Sequence, residues 1–295
     1  MLRDTHSRTQ KVPDTAAPSV AAAIRCRLIE DADLDAVAEL LARGFPERTT
    51  AYWRSGLERL RALPAGDYPR YGYVLEDGAR LGGVLLTLYT PGLDAPRCNL
   101  SSWYVEPDYR HLAMHLDRAA TRDRKTTYLN ISPAEHTRKL IQALGYVSLN
   151  EDTVIALPWL SAPRGVKVET YGPHHDAVLS PFEARLARDH QAWGCIALVA
   201  GDKLFVFQHK RLPGIGYGAV HVLYCSSPDD LTDFAGPLGR ALLKRGLFAW
   251  KIDGAAVPKG LFGWHFTGRS ARWAKGPNPP HLNNLSYTEL AVFGA

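Results

Sequence analysis

Several short constellations in this 295-residue chain bring chemistry-bearing side chains together. His111 and His115 lie four positions apart, a spacing that sets both on one face of a helix where they could share a metal ion. They have neither an intervening Glu nor an evident third ligand, so no metal is expected. His174, His175 and Asp176 form a second cluster, read as a loop and helix cap. Gly214-Ile215-Gly216-Tyr217-Gly218 has the glycine content of a phosphate loop. It lies between two strand-like runs, however, and a flexible hairpin connection suits that context better. Phe262 to Lys275 interleaves Trp264, Phe266 and Trp273 with His265, Arg269, Arg272 and Lys275. Such alternation could stack bases, cover a ligand cleft, or form a surface strip with buried aromatics, and nucleic-acid binding is the least favoured of the three.

Composition narrows the class. With 46% hydrophobic and 22% charged residues the chain can bury a sizeable core, which excludes wholesale disorder. The net charge of +5, from 35 Lys+Arg against 30 Asp+Glu, is spread along the chain and favours an anionic ligand only weakly. Cys26, Cys98, Cys195 and Cys225 are too scattered for a metal site or a disulfide framework and are read as reduced thiols. No stretch of eighteen apolar residues suggests a membrane span, and Met1 to Ser19 is polar, charged and proline-containing. The expectation is a soluble cytoplasmic protein with a disordered leader over residues 1–22.

The elements that must position any site follow from periodicity. A strand is expected over Ala23 to Leu28, then an amphipathic helix carrying Leu34, Val37, Leu40 and Leu41 and stopped near Gly44. A second helix begins after Thr49-Thr50 and ends before Pro64. Tyr71 to Leu75 and Leu81 to Tyr89 form a hairpin across Glu76-Asp77-Gly78. Cys98 to Val105 is a strand closed by Glu106-Pro107, Asp108 to Thr121 a helix, and Thr127 to Ile131 a strand. Ser132-Pro133 opens a helix ending at Gly145, and Tyr146 to Leu149 is a strand. Pro158 to Gly165 reads as a linker between units at residues 23–157 and 166–295.

After the linker the order begins again: strands at Val166 to Tyr171, Ile196 to Val199, Leu204 to Gln208, Ala219 to Cys225 and Leu247 to Ile252, with helices at Pro181 to Trp193 and within Asp229 to Lys244. A last alternating strand is expected over Ser286 to Phe293. Pro107 to Ile131 (131 − 107) and Pro228 to Ile252 (252 − 228) both span 24 positions, and one offset of 121 superposes them, which points to a structural repeat.

At Trp103-Tyr104-Val105-Glu106-Pro107-Asp108-Tyr109-Arg110, and again at Leu140-Ile141-Gln142-Ala143-Leu144-Gly145-Tyr146, the sequence resembles the GNAT superfamily of acyl-CoA-dependent N-acyltransferases over roughly Ala23 to Glu151. The resemblance implies an α+β fold of two GNAT-like units, each a mixed, mostly antiparallel sheet flanked by helices, the second degenerate. It implies acetyl-CoA or another acyl-CoA as co-substrate and no metal. The CoA-binding segment would run through Trp103, Tyr104, Val105, Arg110, His111, Leu112, Ala113, Met114 and His115, where helix-start amides hold the pyrophosphate. Ala113 and His115 stand where the family's glycines fall, Ile141 where it often has a Tyr acid, and Ala134 near its Asn.

The implied reaction is attack of an amine, or less often a hydroxyl, on an acyl thioester. Splaying beside Ser101 to Val105 would expose amides for the carbonyl. Tyr128, Ser132, His136 and Glu106 are the candidate proton handlers. Each has a plainer reading: strand aromatic, helix N-cap, solvent-facing helix residue and helix-start charge respectively. The acceptor would be an amine of a small molecule, peptide or glycan. Ser226-Ser227-Pro228-Asp229-Asp230 carries no such motif, and its acids would repel a pyrophosphate, so the second unit is expected to shape the acceptor pocket. A catalytically inactive tandem protein that binds a ligand or partner is the alternative.

Overall fold

The computed structural model describes residues 24–64, 66–162 and 164–294, and the expected leader over residues 1–22 lies outside them. The first half runs β1 (Arg25–Leu28), α1 (Leu34–Gly44), α2 (Thr50–Ala62), β2 (Gly72–Asp77), β3 (Arg80–Tyr89), β4 (Arg97–Val105), α3 (Ala113–Ala120), β5 (Thr127–Asn130), α4 (Arg138–Ala143) and β6 (Val147–Asn150). The second continues with β7 (Thr153–Ala156), β8 (Val168–Thr170), α5 (Pro181–Ala192), β9 (Ile196–Ala200), β10 (Lys203–Leu212), β11 (Gly216–Cys225), α6 (Pro228–Asp233) and α7 (Ala235–Leu243). It closes with β12 (Ala249–Asp253), β13 (Gly263–Phe266), β14 (Arg272–Lys275) and α8 (Glu289–Phe293).

Local chemistry sets these boundaries. The Thr49 side chain accepts from the Tyr52 amide to start α2, and Ser180 with Glu183 forms a capping box on α5. Gly78 and Gly201, with φ of 58° and 65°, allow the tight turns of the β2–β3 and β9–β10 hairpins. Along β3, Val84, Leu86 and Leu88 face the helices α1 and α2 while Leu85 faces the side of α3 and α4, so both faces of the strand are buried.

The strands form two seven-stranded mixed sheets, ordered β1-β2-β3-β4-β5-β14-β6 and β13-β7-β12-β11-β10-β9-β8. Relative to a division at residues 158–165, each sheet contains one strand from the other side of it. β14 inserts between β5 and β6, pairing Ala274 with Leu129 and with Val147. β7 inserts between β12 and β13, pairing Ile155 with Lys251 and with Trp264. Strand pairing therefore does not divide where the chain was expected to divide, at residues 158–165. The Phe262 to Lys275 segment is neither a lid nor a single surface strip: it is the exchange itself. Trp264 and Phe266 are exposed on the edge strand β13, whereas Arg272 and Trp273 are buried in β14.

The repeat extends to register. Adding 121 to each member of the parallel pairs Cys98↔Tyr128 and Asn99↔Leu129 gives the observed pairs Ala219↔Ala249 and Val220↔Trp250. The GNAT-like arrangement of two α+β units is thus present in the strand order and the pairing. The expected last strand over Ser286 to Phe293 is replaced by α8. All five residues of that helix are buried, so its sequence carries no polar face to signal a helix.

Two contact systems hold the units together. One is an apolar cluster shared by Leu129, Ile131 and Ala274 of the first sheet with Leu186, Ala197, Val199, Leu204 and Leu223, and with Tyr287 and Leu290 from the C-terminal segment. The other is a buried charge cluster at the exchange. Arg272 Nε donates to Asp253 Oδ2 at 2.6 Å, Ser270 Oγ to Asp253 Oδ1 at 2.6 Å, and Lys251 Nζ lies 3.3 Å from the same oxygen. Against the upward pull of burial, Arg272 and its neighbours hold the Asp253 carboxyl well below the usual carboxylate range. His221, 3.5 Å from Asp253, is pushed down to about 3 by burial and by Lys251, so it stays neutral beside these charges.

Asp253→Ala leaves Arg272 buried without its anion, which costs about 3–5 kcal/mol. Urea denaturation followed by circular dichroism and tryptophan fluorescence should show this loss with coincident midpoints for the two probes. A stability within about 0.5 kcal/mol of wild type would show that the pair is not what pins the exchange.

Candidate active site

Strand β4 parts from β5 after Asn99↔Leu129, although β4 runs on to Val105. From Leu100 onward its β5-side edge faces a cleft of about 550 Å³. A bulge lies at the parting point: Ser102 and Trp103 together oppose Leu85 of β3, and Ser102 takes the left-handed backbone conformation with φ of 55°. A non-glycine residue held there marks a strained backbone, of the kind found where a strand is re-aimed at a site.

The cleft has two ends. One is walled by Arg110, Ala113 and Asp117 before and within α3, and by Thr137, Leu140 and Ile141 at α4. The other is walled by Phe45, Tyr52 and Trp53 around α1 and α2, and by Phe293 of α8. Tyr52, Trp53 and Phe293 form an aromatic cluster, with ring centroids 5.1 Å apart for Tyr52–Trp53 and 5.3 Å for Trp53–Phe293. Gly56 makes that contact possible, since a Cβ there would lie 2.0 Å from a ring carbon of Phe293. Glu289 also lines the cleft, against the hydroxyls of Ser132 and of Ser101, the residue before the bulge.

The corresponding parting in the second sheet is closed by the chain itself. Beyond His221↔Lys251, β11 leaves β12 and pairs instead with residues 283–285. The Leu285 amide donates to the Leu223 carbonyl at 2.7 Å, and the Cys225 amide to the Asn283 carbonyl at 3.2 Å. Only six residues separate the middle of that plug from the middle of α8, so one segment fills the second parting and then walls the first.

Sequence comparison finds no match among family models or curated proteins. Solved structures do match in fold. A GCN5-related N-acetyltransferase from Kribbella flavida superposes with a TM-score of 0.55 at 15% identity, covering 85% of this chain and 70% of that one. One from Anabaena variabilis gives 0.56 at 11% identity, with 85% and 72% covered. An acetyltransferase candidate from Pyrococcus horikoshii gives 0.54 at 13% identity, with 93% and 96% covered. The chain has the GNAT fold, in two copies. No described helix is long and apolar enough to cross a membrane.

Within the first GNAT unit, Trp103, Val105, Arg110 and Ala113 of the expected CoA segment line the cleft. Tyr104 faces the opposite side of the sheet, against Gly44 and Phe45. His111, Leu112, Met114 and His115 do not line the cleft, and residues 107–112 form a 3-10 turn, so α3 begins only at Ala113. His111 and His115 are exposed.

The four expected proton handlers are not brought together. Glu106 is held by Arg80 at 2.6 Å and Arg43 at 3.1 Å, an ion-pair role. Tyr128 is 2% exposed and donates to the Asp123 carbonyl at 3.1 Å, away from the cleft. His136 is exposed on a 3-10 turn and does not line the cleft. Ser132 does, and rather than capping a helix it donates to Glu289. The second histidine cluster lies elsewhere, where donor atoms of Glu169, His174 and His175 come within 4.8 Å of one another beside the edge strand β8.

Glu289 is the cleft residue that sequence reasoning missed. It is 7% exposed, its amide donates to Asn99 Oδ1 at 2.8 Å, and burial pushes its carboxyl upward against the hydroxyls of Ser101 and Ser132 and the charge of Arg272. An acid at a position that reads as apolar core was the available signal. Asp117, at the other end, is also pushed up by burial, which Lys275 and Arg118 oppose.

The segment that delivers Glu289 is clamped by His190. Its Nδ1 hydrogen donates to the Leu186 carbonyl at 2.9 Å, and its Nε2 accepts the Tyr287 amide at 3.3 Å, a pairing that assigns the neutral tautomer. Burial lowers His190 from 6.5 to about 3. Because the folded value is depressed, the unfolded chain takes up the proton first, and stability falls as pH drops below about 6.5 toward 3. The contribution approaches about 1.4 kcal/mol per pH unit. The stability gap between wild type and His190→Gln should therefore narrow from pH 7 to pH 4.5 in urea titrations, and a constant gap would show that the clamp does not titrate.

Proposed function

We propose that this protein transfers an acyl group from acyl-CoA to an amine, less readily to a hydroxyl, in the cleft of its first GNAT unit. The observation that carries this reading is the contrast between the two copies. The parting of β4 from β5 is open and lined by Arg110, whereas that of β11 from β12 is filled by residues 283–285. The fold shared with proteins described as N-acetyltransferases supports the same chemistry.

In this reading the thioester lies along the free edge of β4, where backbone amides around the Ser102 bulge meet the carbonyl oxygen. Holding both reactants in one slot supplies a large part of the rate. Arg110, at the α3 end, meets the phosphates of CoA. Ala113 and His115 favour a second reading, ligand binding without turnover, because the phosphate turn lacks its glycines.

Calorimetric titration with acetyl-CoA and longer acyl-CoAs should give saturable binding, and Arg110→Ala should raise Kd about tenfold, the weaker end of what one charge-assisted contact contributes. Absence of heat at millimolar ligand would sink acyl transfer. Unchanged affinity in the variant would refute the phosphate placement. Binding without release of free CoA thiol across a panel of amines would favour the second reading.

A further inference from the structure

The cleft wall opposite the expected CoA end combines one buried carboxylate with an apolar, largely aromatic surface. Glu289 belongs to the second half of the chain, yet it stands beside Ser101 and Ser132 of the first unit. The same cleft is lined by Phe45, Tyr52, Trp53, Leu100 and Phe293. From these we infer that Glu289 recognises the ammonium group of a primary amine carried on a compact apolar or aromatic body, and then takes the proton that the amine must lose before it attacks. The inference rests on the acyl-transfer reading for its second step only.

The surroundings of Glu289 explain why a cation belongs there. The groups that favour its charged form are two neutral hydroxyls, Ser101 and Ser132, with Arg272 of β14 acting as a further charge. A carboxylate removed from water on those terms gains from an opposite charge brought into contact. Tyr52 of α2 and Glu289 line the same cleft, whose other carboxylate on this side, Glu47, is exposed to solvent. Two cations on the cleft wall are engaged otherwise or lie apart: Arg48 rests 4.6 Å above the Tyr52 ring, and Arg110 stands at the α3 end. Lys210 of β10 lies near Arg272 and Arg48, which both lower its pKa after burial itself. The aromatic faces offer a further attraction for an organic cation and exclude water from the apolar body it carries.

The chemical step balances without another reactant. The ammonium gives one proton to a carboxylate oxygen of Glu289, freeing the nitrogen lone pair. Nitrogen attacks the thioester carbonyl carbon, the N–C bond forms, and the C–S bond breaks with its electron pair passing to sulfur. The second nitrogen proton ends on that sulfur, giving an amide, CoA thiol and a protonated Glu289 that returns its proton to water. A carboxyl pushed upward by burial is better matched to this task than an exposed one.

The test uses the full chain with 2-phenylethylamine and tryptamine as probes, 2-phenylethanol as the uncharged comparison, and acetyl-CoA titrated separately. The amines should bind at least tenfold more tightly than the alcohol. Glu289→Gln should remove that preference while leaving acetyl-CoA affinity and the unfolding midpoint near wild type. Equal binding of amine and alcohol to wild type, or an amine preference that survives in Glu289→Gln, overturns the inference and leaves acyl transfer standing. Failure of acetyl-CoA to bind wild type removes acyl transfer while the amine preference is judged on its own.

Should Glu289→Gln not fold, wild type still decides the matter. Amine affinity should fall as pH is lowered and the carboxylate, whose pKa burial raises, takes up a proton, since both amines stay cationic throughout. Ser132→Ala, which removes a hydroxyl favouring the charged form, should move that fall to higher pH. Amine affinity that does not change with pH in either protein overturns the inference.

Discussion

Backbone hydrogen bonding across the exchanged strands is the constraint on which the molecule depends. A β-strand removed from water must find partners for its amides and carbonyls on both sides, or lie at an edge. Among the described residues, β5 and β6 are joined in the sheet through β14, and β12 and β13 through β7. Neither half can satisfy its sheet alone. Placing Arg272 in β14 and Asp253 in β12 puts a buried ion pair across this junction, and the neutral His221 and Ser270 complete its surroundings. Removing either charge leaves the other stranded, so the pair enforces the exchange more than it stabilises the fold.

The two parted strand pairs show how a duplicated scaffold can lose one site while supporting another. In both copies the parallel pairing covers three residue pairs, two of which correspond at the 121-residue offset, and then stops. The second parting is satisfied by residues 283–285, which leaves no room for a ligand's backbone-like groups. The same stretch, bent at Tyr287 with φ of 56° and anchored by His190, then lays α8 against α2. What fills one groove thereby furnishes an acid and an aromatic wall to the other.

The sequence reading succeeded where local physics decides. The helix starts after Thr49-Thr50 and at Pro181, the hairpin across Gly78, the strand closed by Glu106-Pro107 and the offset between the halves all rest on short-range chemistry, and all stand in the structure. The glycine-rich 214–218 segment makes the turn of the β10–β11 hairpin and the first residues of β11, as its position between strands implied. The misses come from long-range pairing. Nothing local to Arg272-Trp273-Ala274-Lys275 says that it belongs with β5, and α8 has no solvent face to reveal its period. Glu106 and Tyr128 looked available because their partners, Arg80 and the Asp123 carbonyl, are set by tertiary geometry. Ser132 was read as a cap because its partner lies 157 positions away.

That separation governs when the cleft can exist. Asn99 and Glu289 stand 190 positions apart in the chain, and the bond between them needs all the residues of the second sheet to have been made first. Contacts of such sequence distance are paid for late, once loop-closure entropy has been met by everything between them. A chain that stops short of residue 289 thus has the residues of β4 and its bulge but not the acid that lies beside them. The groove is therefore completed only when residues 283–293, which plug the second parting and wall the first, are present beside β4.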